Sequence, residues 1–445
     1  MNERANRHEQ PLIEDRLGAR ARVYGSESAI LVAVERPNKP IADSLRELEA
    51  LADTAGVTTL AVLTQKRLRR DASTFIGKGK VSEVKAAASE LGADVIICND
   101  ELSPAQARNL EKAIERKVID RSQLIMDIFA QRAATKAARL QVELAQLRYL
   151  LPRLRGWGSS LTRLGGGIGT RGPGETQLEL DRKKINRHIH ALERRLTKAR
   201  SERDLRRKRR TTGPLPQVVL IGYTNSGKST LLNRLCETDL LVEDKLFATL
   251  STTVRRGEIA TNEWALFTDT VGFIRDLPHH LIPAFASTLE AVRDADLILH
   301  VIDISHHSYE EDYHSVLATL NKEVFSDDEP RPPILNVLNK IDLLGSTEGI
   351  PSFDEGVRIS AKNEFHLDAL KERIRAFLNV GKVRTSLIVP YSLQRLSRLQ
   401  GVTISGYTND GIEIETCLAP DDLLWLQRSG ARIRTSSSPH GTISH

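Results

Sequence analysis

The chain has 445 residues, of which 40% are hydrophobic, 27% charged and 4% aromatic, with a formal net charge of +6. That length exceeds one ordinary core and predicts several domains of about 100 to 200 residues. The longest apolar runs, such as 295–304 (ADLILHVIDI), are about half the roughly 20 residues of a spanning helix, Met1 to Arg20 is polar, and Cys98, Cys236 and Cys417 lie far apart. Membrane insertion, secretion and a disulfide framework are not expected; a cytoplasmic monomer with three small buried cysteines is.

After a polar tail (1–28), the runs AILVAVE (29–35), TTLAVLTQ (58–65) and ADVIICN (93–99) alternate with helical patterns. Such alternation predicts a parallel-sheet α/β domain over 29–130. Its FIGKGKV segment (75–81) reads as a turn. From 131 the pattern changes: Leu140, Leu144, Leu147, Leu151 and Leu154 recur at spacings of 4, 3, 4 and 3, and Ile185, Ile189, Leu192, Leu196 and Ala199 repeat them. Two helices with matching narrow seams predict an antiparallel hairpin arm over 131–210.

The tip of that arm (156–174) holds six glycines in the ten positions 165–174, and Gly167-Ile-Gly169-Thr-Arg-Gly172 fits the dinucleotide fingerprint G-x-G-x-x-G. The fingerprint has meaning only between a buried strand and a helix, and here a leucine-seamed helix precedes it. The alternatives are an RNA-contacting tip, a protein-binding one or a merely flexible one, and the residues favour the first. Arg153, Arg155, Arg163 and Arg171 supply bidentate phosphate donors, Trp157 a stacking surface, and Gly165, Gly166 and Gly167 close backbone approach. The following residues, 181–210, hold 14 Lys or Arg against 4 Asp or Glu, a net of +10, whereas the rest of the chain sums to −4. A block of this kind is most often a solvated helix face or linker, with phosphate contact as the other reading, which the neighbouring arginines and glycines favour.

A second α/β domain is expected over 218–380, doubly wound and built on a phosphate loop. The run QVVLIGYTNSGKST places Gly222, Tyr223, Thr224, Asn225, Ser226, Gly227, Lys228 and Ser229 in the pattern G-x-x-x-x-G-K-S, directly after an apolar strand and before a helix. Gly222 and Gly227 let successive amides face the phosphates, Lys228 supplies charge at the β and γ phosphates, and the Ser229 hydroxyl suits Mg²⁺. Asp269, Thr270, Val271 and Gly272 end the strand WALFT, putting a carboxylate near the metal and a Gly272 amide near the γ-phosphate. Asn339, Lys340, Ile341 and Asp342 end the strand ILNVL; Asp342 can accept from both N1–H and the exocyclic amine of guanine, so it selects GTP over ATP. Ser360, Ala361 and Lys362 suit the loop that packs on the base. Between these motifs a threonine must reach Mg²⁺, with Thr249, Thr252 and Thr253 as candidates. Phe273 stands where a water-orienting glutamine is usual, which predicts slow intrinsic hydrolysis. A small α+β domain (385–435) and a disordered tail (436–445) complete the chain, the former with RTSLIVP, VTISGYT and GIEIETC as strands and SLQRLSRLQ and DDLLWLQRS as helices.

Together FATLSTTVRR (247–256), DTVGFIRDLP (269–278) and RGPGETQLELDRKKI (171–185) resemble the HflX family of translation-factor GTPases, over about residues 29–380. The resemblance maps the magnesium threonine onto Thr249 and draws Phe247, Ala248, Leu250 and Ser251 into the nucleotide site. Many members have Asp-Pro or Asp-Thr where this chain has Ser251-Thr252. It implies Lys228, Thr249 and Gly272 as the catalytic set, Mg²⁺ as cofactor, GTP and GDP as ligands, and the large ribosomal subunit with its rRNA as partner. The implied activity is a GTPase that splits or rescues stalled ribosomes. The alternative is a ribosome-assembly or RNA-remodelling NTPase with an ATP site in the N-terminal region.

Overall fold

Strand β1 (Ser28–Glu35) reads SAILVAVE and is buried along nearly its whole length, the pattern of a parallel strand covered on both faces. In the structure, a computed structural model, the described residues are 27–37, 41–133, 135–154, 173–211, 215–237, 247, 253–274, 286–325, 331–344, 356–393, 401–418 and 420–433. They form two compact units: 1–203 with 243–251 and 274–286, and 204–242 with 252–273 and 287–445.

In the first unit, β1, β2 (Thr58–Lys66), β3 (Val95–Cys98) and β4 (Lys117–Asp120) make a parallel sheet in the order β2-β1-β3-β4. Helices α1 (Ala42–Thr54), α2 (Lys78–Glu90) and α3 (Pro104–Ile114) connect them, and α4 (Arg121–Arg132) follows β4. Ile30, Val32, Ile96 and Val118 of the sheet pack on Val81, Val84, Leu110 and Ile114 of α2 and α3. Burial of each such side chain contributes about 2 kcal/mol. The expected turn at FIGKGKV is also the start of α2, with Gly77 as its N-cap. Cys98 is buried as expected, but Cys236 and Cys417 are only half-buried.

Helix α5 (Lys136–Arg153) opens on Thr135, whose hydroxyl accepts from the Ala138 amide at 3.1 Å, a standard way of satisfying a first-turn amide. Helix α6 spans Pro173–Thr211. The two join through the seam that the sequence predicts: Leu140, Leu144 and Leu147 against Ile185, Ile189 and Leu192, with Leu151, Leu154 and Leu196 alongside. Arg148 also pairs with Glu193 at 2.7 Å and His188 with Glu143 at 3.0 Å.

The second unit is built on β5 (Gln217–Gly222), β6 (Thr253–Ala260), β7 (Glu263–Asp269), β8 (Leu297–Asp303), β9 (Ile334–Asn339) and β10 (Val357–Arg358), in the order β10-β9-β8-β5-β7-β6. All neighbours are parallel except β6 and β7. Its helices are α7 (Lys228–Cys236), α8 (Ala286–Arg293), α9 (Tyr309–Glu323) and α10 (Leu367–Leu378). An antiparallel sheet β12-β13-β11-β14 follows, from β11 (Val383–Val389), β12 (Thr403–Thr408), β13 (Gly411–Leu418) and β14 (Arg432–Ile433), covered by Leu426 of α11 (Pro420–Arg428). Of the SLQRLSRLQ segment, 394–400 lie outside the described residues. No helix among the described residues is long and apolar enough to cross a membrane.

Candidate functional site

The carboxyl ends of β5, β7 and β9 carry the chemistry. Gly222 ends β5 at φ +153°, where a Cβ would lie 2.2 Å from the Val301 carbonyl oxygen, so only glycine lets the chain turn there. Gly227 caps α7 at φ +92°, with its missing Cβ 2.2 Å from Asn339 Nδ2. Lys228 begins the helix, buried, and its Nζ donates to the carbonyl oxygens of Gly222 (3.2 Å) and Tyr223 (2.7 Å). Burial pushes the Lys228 ammonium down to about 8, opposed by Asp269 and reinforced by Lys340.

Ser229 Oγ donates to Asp269 Oδ2 at 2.7 Å. Asp269 is buried, and its Oδ1 has no hydrogen-bond partner among the described residues; the same is true of Thr224 Oγ1 and Ser226 Oγ. Orphaned buried polar atoms around a glycine loop mark a place where a polar ligand belongs. Thr270 is tied down by Oγ1 donating to Leu220 O at 2.6 Å.

Beyond Gly272 the chain bridges back to the phosphate loop. The Phe273 amide donates to Gly222 O at 3.0 Å and the Thr224 amide to Phe273 O at 2.8 Å. The Phe273 side chain is buried, so an apolar group occupies the position where a polar one would orient water.

The residues that the sequence marks as base contacts are tied together by hydrogen bonds at the ends of β9 and β10. Asn339, buried at the end of β9, donates through Nδ2 to Ser226 O at 2.9 Å and accepts through Oδ1 from the Ala361 amide at 3.0 Å. Asp342 Oδ1 accepts from Ser360 Oγ at 2.6 Å, which aims the carboxylate. Lys340 stands in a left-handed conformation at φ +67° and pairs with Asp303 at the end of β8 at 2.7 Å. Sequence reasoning passed over Asp303, although a carboxylate closing a buried parallel strand was a usable signal.

The structure therefore gathers Gly222, Tyr223, Thr224, Asn225, Ser226, Gly227, Lys228, Ser229, Asp269, Thr270, Val271, Gly272, Asn339, Lys340, Ile341, Asp342, Ser360, Ala361 and Lys362 at the ends of adjoining strands. Phe247 belongs to the first unit, where its side chain is buried edge-to-face on Phe129 of α4, ring centroids 4.7 Å apart. Thr253, one of the three threonine candidates, is the first residue of β6, opposite Asp269. Ala248, Thr249, Leu250, Ser251 and Thr252 lie outside the described residues, as do Arg155, Trp157, Arg163, Gly165, Gly166, Gly167 and Arg171 of the arm tip.

Arg153, expected to contact RNA, is instead turned into the protein. Its Nη2 donates to Leu102 O at 2.7 Å and lies 3.2 Å from Asp120 Oδ2. A buried carboxylate and a carbonyl hold the guanidinium that the sequence reading assigned to phosphate.

Comparison with known proteins agrees with this geometry. Residues 42–130 match the model of the GTP-binding GTPase N-terminal region, 132–210 that of the GTP-binding GTPase middle region, and 217–340 that of the 50S ribosome-binding GTPase. The chain is 48% identical over 371 residues to GTPase HflX of Caldanaerobacter subterraneus subsp. tengcongensis, covering 83% of this chain and 85% of the relative. It is 45% identical over 397 residues to GTPase HflX of Lacrimispora saccharolytica (87% and 92%) and 45% over 328 residues to that of Escherichia coli K12 (74% and 76%). With a phosphate loop and this extent of likeness, the chain belongs to the HflX family of GTPases, and it binds and hydrolyses GTP.

Proposed function

We propose that GTP hydrolysis in this protein serves a cytoplasmic switch that engages the large ribosomal subunit and splits or rescues stalled ribosomes. One observation carries the reading: helix α6 buries one narrow seam and leaves Lys183, Lys184, Arg187, Arg194, Arg195 and Lys198 exposed. A long helix with an uncovered basic face suits the phosphates of folded RNA. The family model over 217–340, described as a 50S ribosome-binding GTPase, supports the same partner. The arm is the natural RNA probe. A ribosome-assembly NTPase with an N-terminal ATP site has no observation in its favour.

The residues present also fit Mg²⁺. Ser229 and Asp269 adjoin, and Asp269 Oδ1 is buried with no partner among the described residues. Ser229 and Thr249 would hold the ion, with Asp269 accepting from its water; when bound it supplies positive charge to the β and γ phosphate oxygens. Lys228 holds charge at the same oxygens, and the Gly272 amide faces the γ-phosphate. Phe273 cannot orient water, so intrinsic hydrolysis is slow and the ribosomal subunit completes the catalytic arrangement.

Co-sedimentation of the full chain with large subunits, in a non-hydrolysable GTP analogue, GDP and no nucleotide, tests this. Strongest binding in the analogue and stimulation of hydrolysis by subunits are expected. Equal binding in all three states, or no stimulation, defeats it.

A further inference from the structure

Asp120 closes β4 with 1% of its surface exposed, and its carboxylate is a hub. Oδ1 accepts from the Gln123 amide at 2.9 Å, capping α4. Oδ2 accepts from the Leu102 amide at 3.0 Å and from Arg153 Nη2 at 3.2 Å. Arg153 is the last residue of α5. Its guanidinium carbon sits 3.4 Å from the centroid of the Tyr149 ring, Nη1 donates to Tyr149 O at 3.0 Å, and Nη2 also reaches Leu102 O. The Tyr149 hydroxyl adjoins the same carboxylate, and burial together with Asp120 raises it above the ordinary tyrosine range. Pro152, in this last turn, removes one amide from the helix ladder. The turn is thus weak in its own hydrogen bonds and strong in bonds to the sheet.

The position matters because α5 carries α6, with its exposed basic face, through the leucine seam. The leucine seam fixes α5 to α6 but leaves open how the end of α5 is held against the sheet. The Asp120 hub fixes that. Resting on the ribosome reading above, we propose that Arg153 is a positioning residue: with Asp120 and Tyr149 it locks the last turn of α5 onto the sheet, so that the exposed basic face of α6, joined to α5 by the leucine seam, meets subunit RNA in one orientation. Arg153 itself touches no RNA.

The test uses the full chain and purified large subunits, reading the subunit concentration for half-maximal stimulation, the saturated turnover, the intrinsic turnover and the salt slope of binding. Arg153→Lys keeps the charge but loses the planar fork, and Asp120→Asn alters a group no RNA can reach. Each is expected to raise the half-maximal concentration about tenfold. Saturated turnover, intrinsic turnover and salt slope stay as in the wild type. The double variant is expected to be no worse than either single one, because both break the same joint. If Asp120→Asn does not fold, Tyr149→Phe removes one hydroxyl and carries the same expectation at about two- to fourfold.

Wild-type response with Arg153→Lys or Asp120→Asn overturns the proposal. So does full retention in Arg153→Lys alongside a reduced salt slope in Arg153→Ala, which marks direct phosphate contact. If wild-type protein neither binds nor responds to subunits, the ribosome reading has failed and this proposal falls with it. That outcome is distinguished by the unmodified chain alone.

Discussion

Asn339 shows how much a single buried amide can hold. Truncation by Asn339→Ala would leave Ser226 O and the Ala361 amide unpaired, at a cost of about 2 kcal/mol or more, roughly thirtyfold in affinity. GDP titration by calorimetry is expected to show that loss, with an unchanged far-ultraviolet circular dichroism spectrum. His300 makes a different prediction. It sits buried in the middle of β8, stacked on Tyr313 with centroids 5.1 Å apart. Burial, aided by Lys228, pushes the imidazole from 6.5 down to about 3. Between those values the unfolded chain takes up a proton that the folded one refuses. Stability is therefore whole above pH 6.5 and falls as pH drops through the window, by up to about 1.4 kcal/mol per pH unit. Urea unfolding of His300→Phe, compared with wild type from pH 7 to 4, should show the variant gaining relative stability as the pH falls. The motif residues around these two were legible because each lies at a fixed offset inside a short pattern. Arg153 was not, since its partner Asp120 is 33 positions away in sequence and nothing local distinguishes an inward arginine from a phosphate-seeking one.

Helices α5 and α6 were legible for a different reason: a 4, 3, 4, 3 spacing is a statement about one face, and the seam is where the structure buries it. The energetics follow from burial and not from charge. Leu192→Ala, at a fully buried position, is expected to destabilise the hairpin by about 2 to 4 kcal/mol. Glu193→Ala, which breaks the exposed pair with Arg148, is expected to cost less than about 1 kcal/mol. Amide exchange in α5 and α6 would rank the two. Strands β4 and β6 escaped notice. The first has only Val118 and Ile119 as apolar residues between Lys117 and Asp120, too few for an apolar run, and the second alternates exposed and buried residues at the sheet edge without the apolar run that marks its neighbours. The glycine fingerprint at 167–172 shows the converse error a pattern invites, averted by the helix in front of it.

Charge is the property that belongs to the whole chain. The segment 181–210 carries +10 while the rest sums to −4, so subunit binding should fall at least about tenfold between 50 and 200 mM salt. Replacing Arg187, Arg194 and Arg195 together by Gln should reduce the logarithmic salt slope by about 3, measured by sedimentation across a salt series. How the chain divides into units was less legible, because composition reports local stretches whereas units are defined by contacts between distant ones. Phe247 illustrates this: it follows α7 of the second unit in sequence, yet its buried ring completes the packing of Phe129 in the first, with φ at +56°. For a bulky residue that backbone is held only by its surroundings. The consequence concerns the order of synthesis. Chains fold from the amino terminus as they emerge, but the surface of α4 around Phe129 stays unfinished until residue 247 is made. A nascent chain halted between residues 203 and 247 would display that aromatic side chain, and a chaperone or a protease would see an incomplete unit where the finished protein shows none.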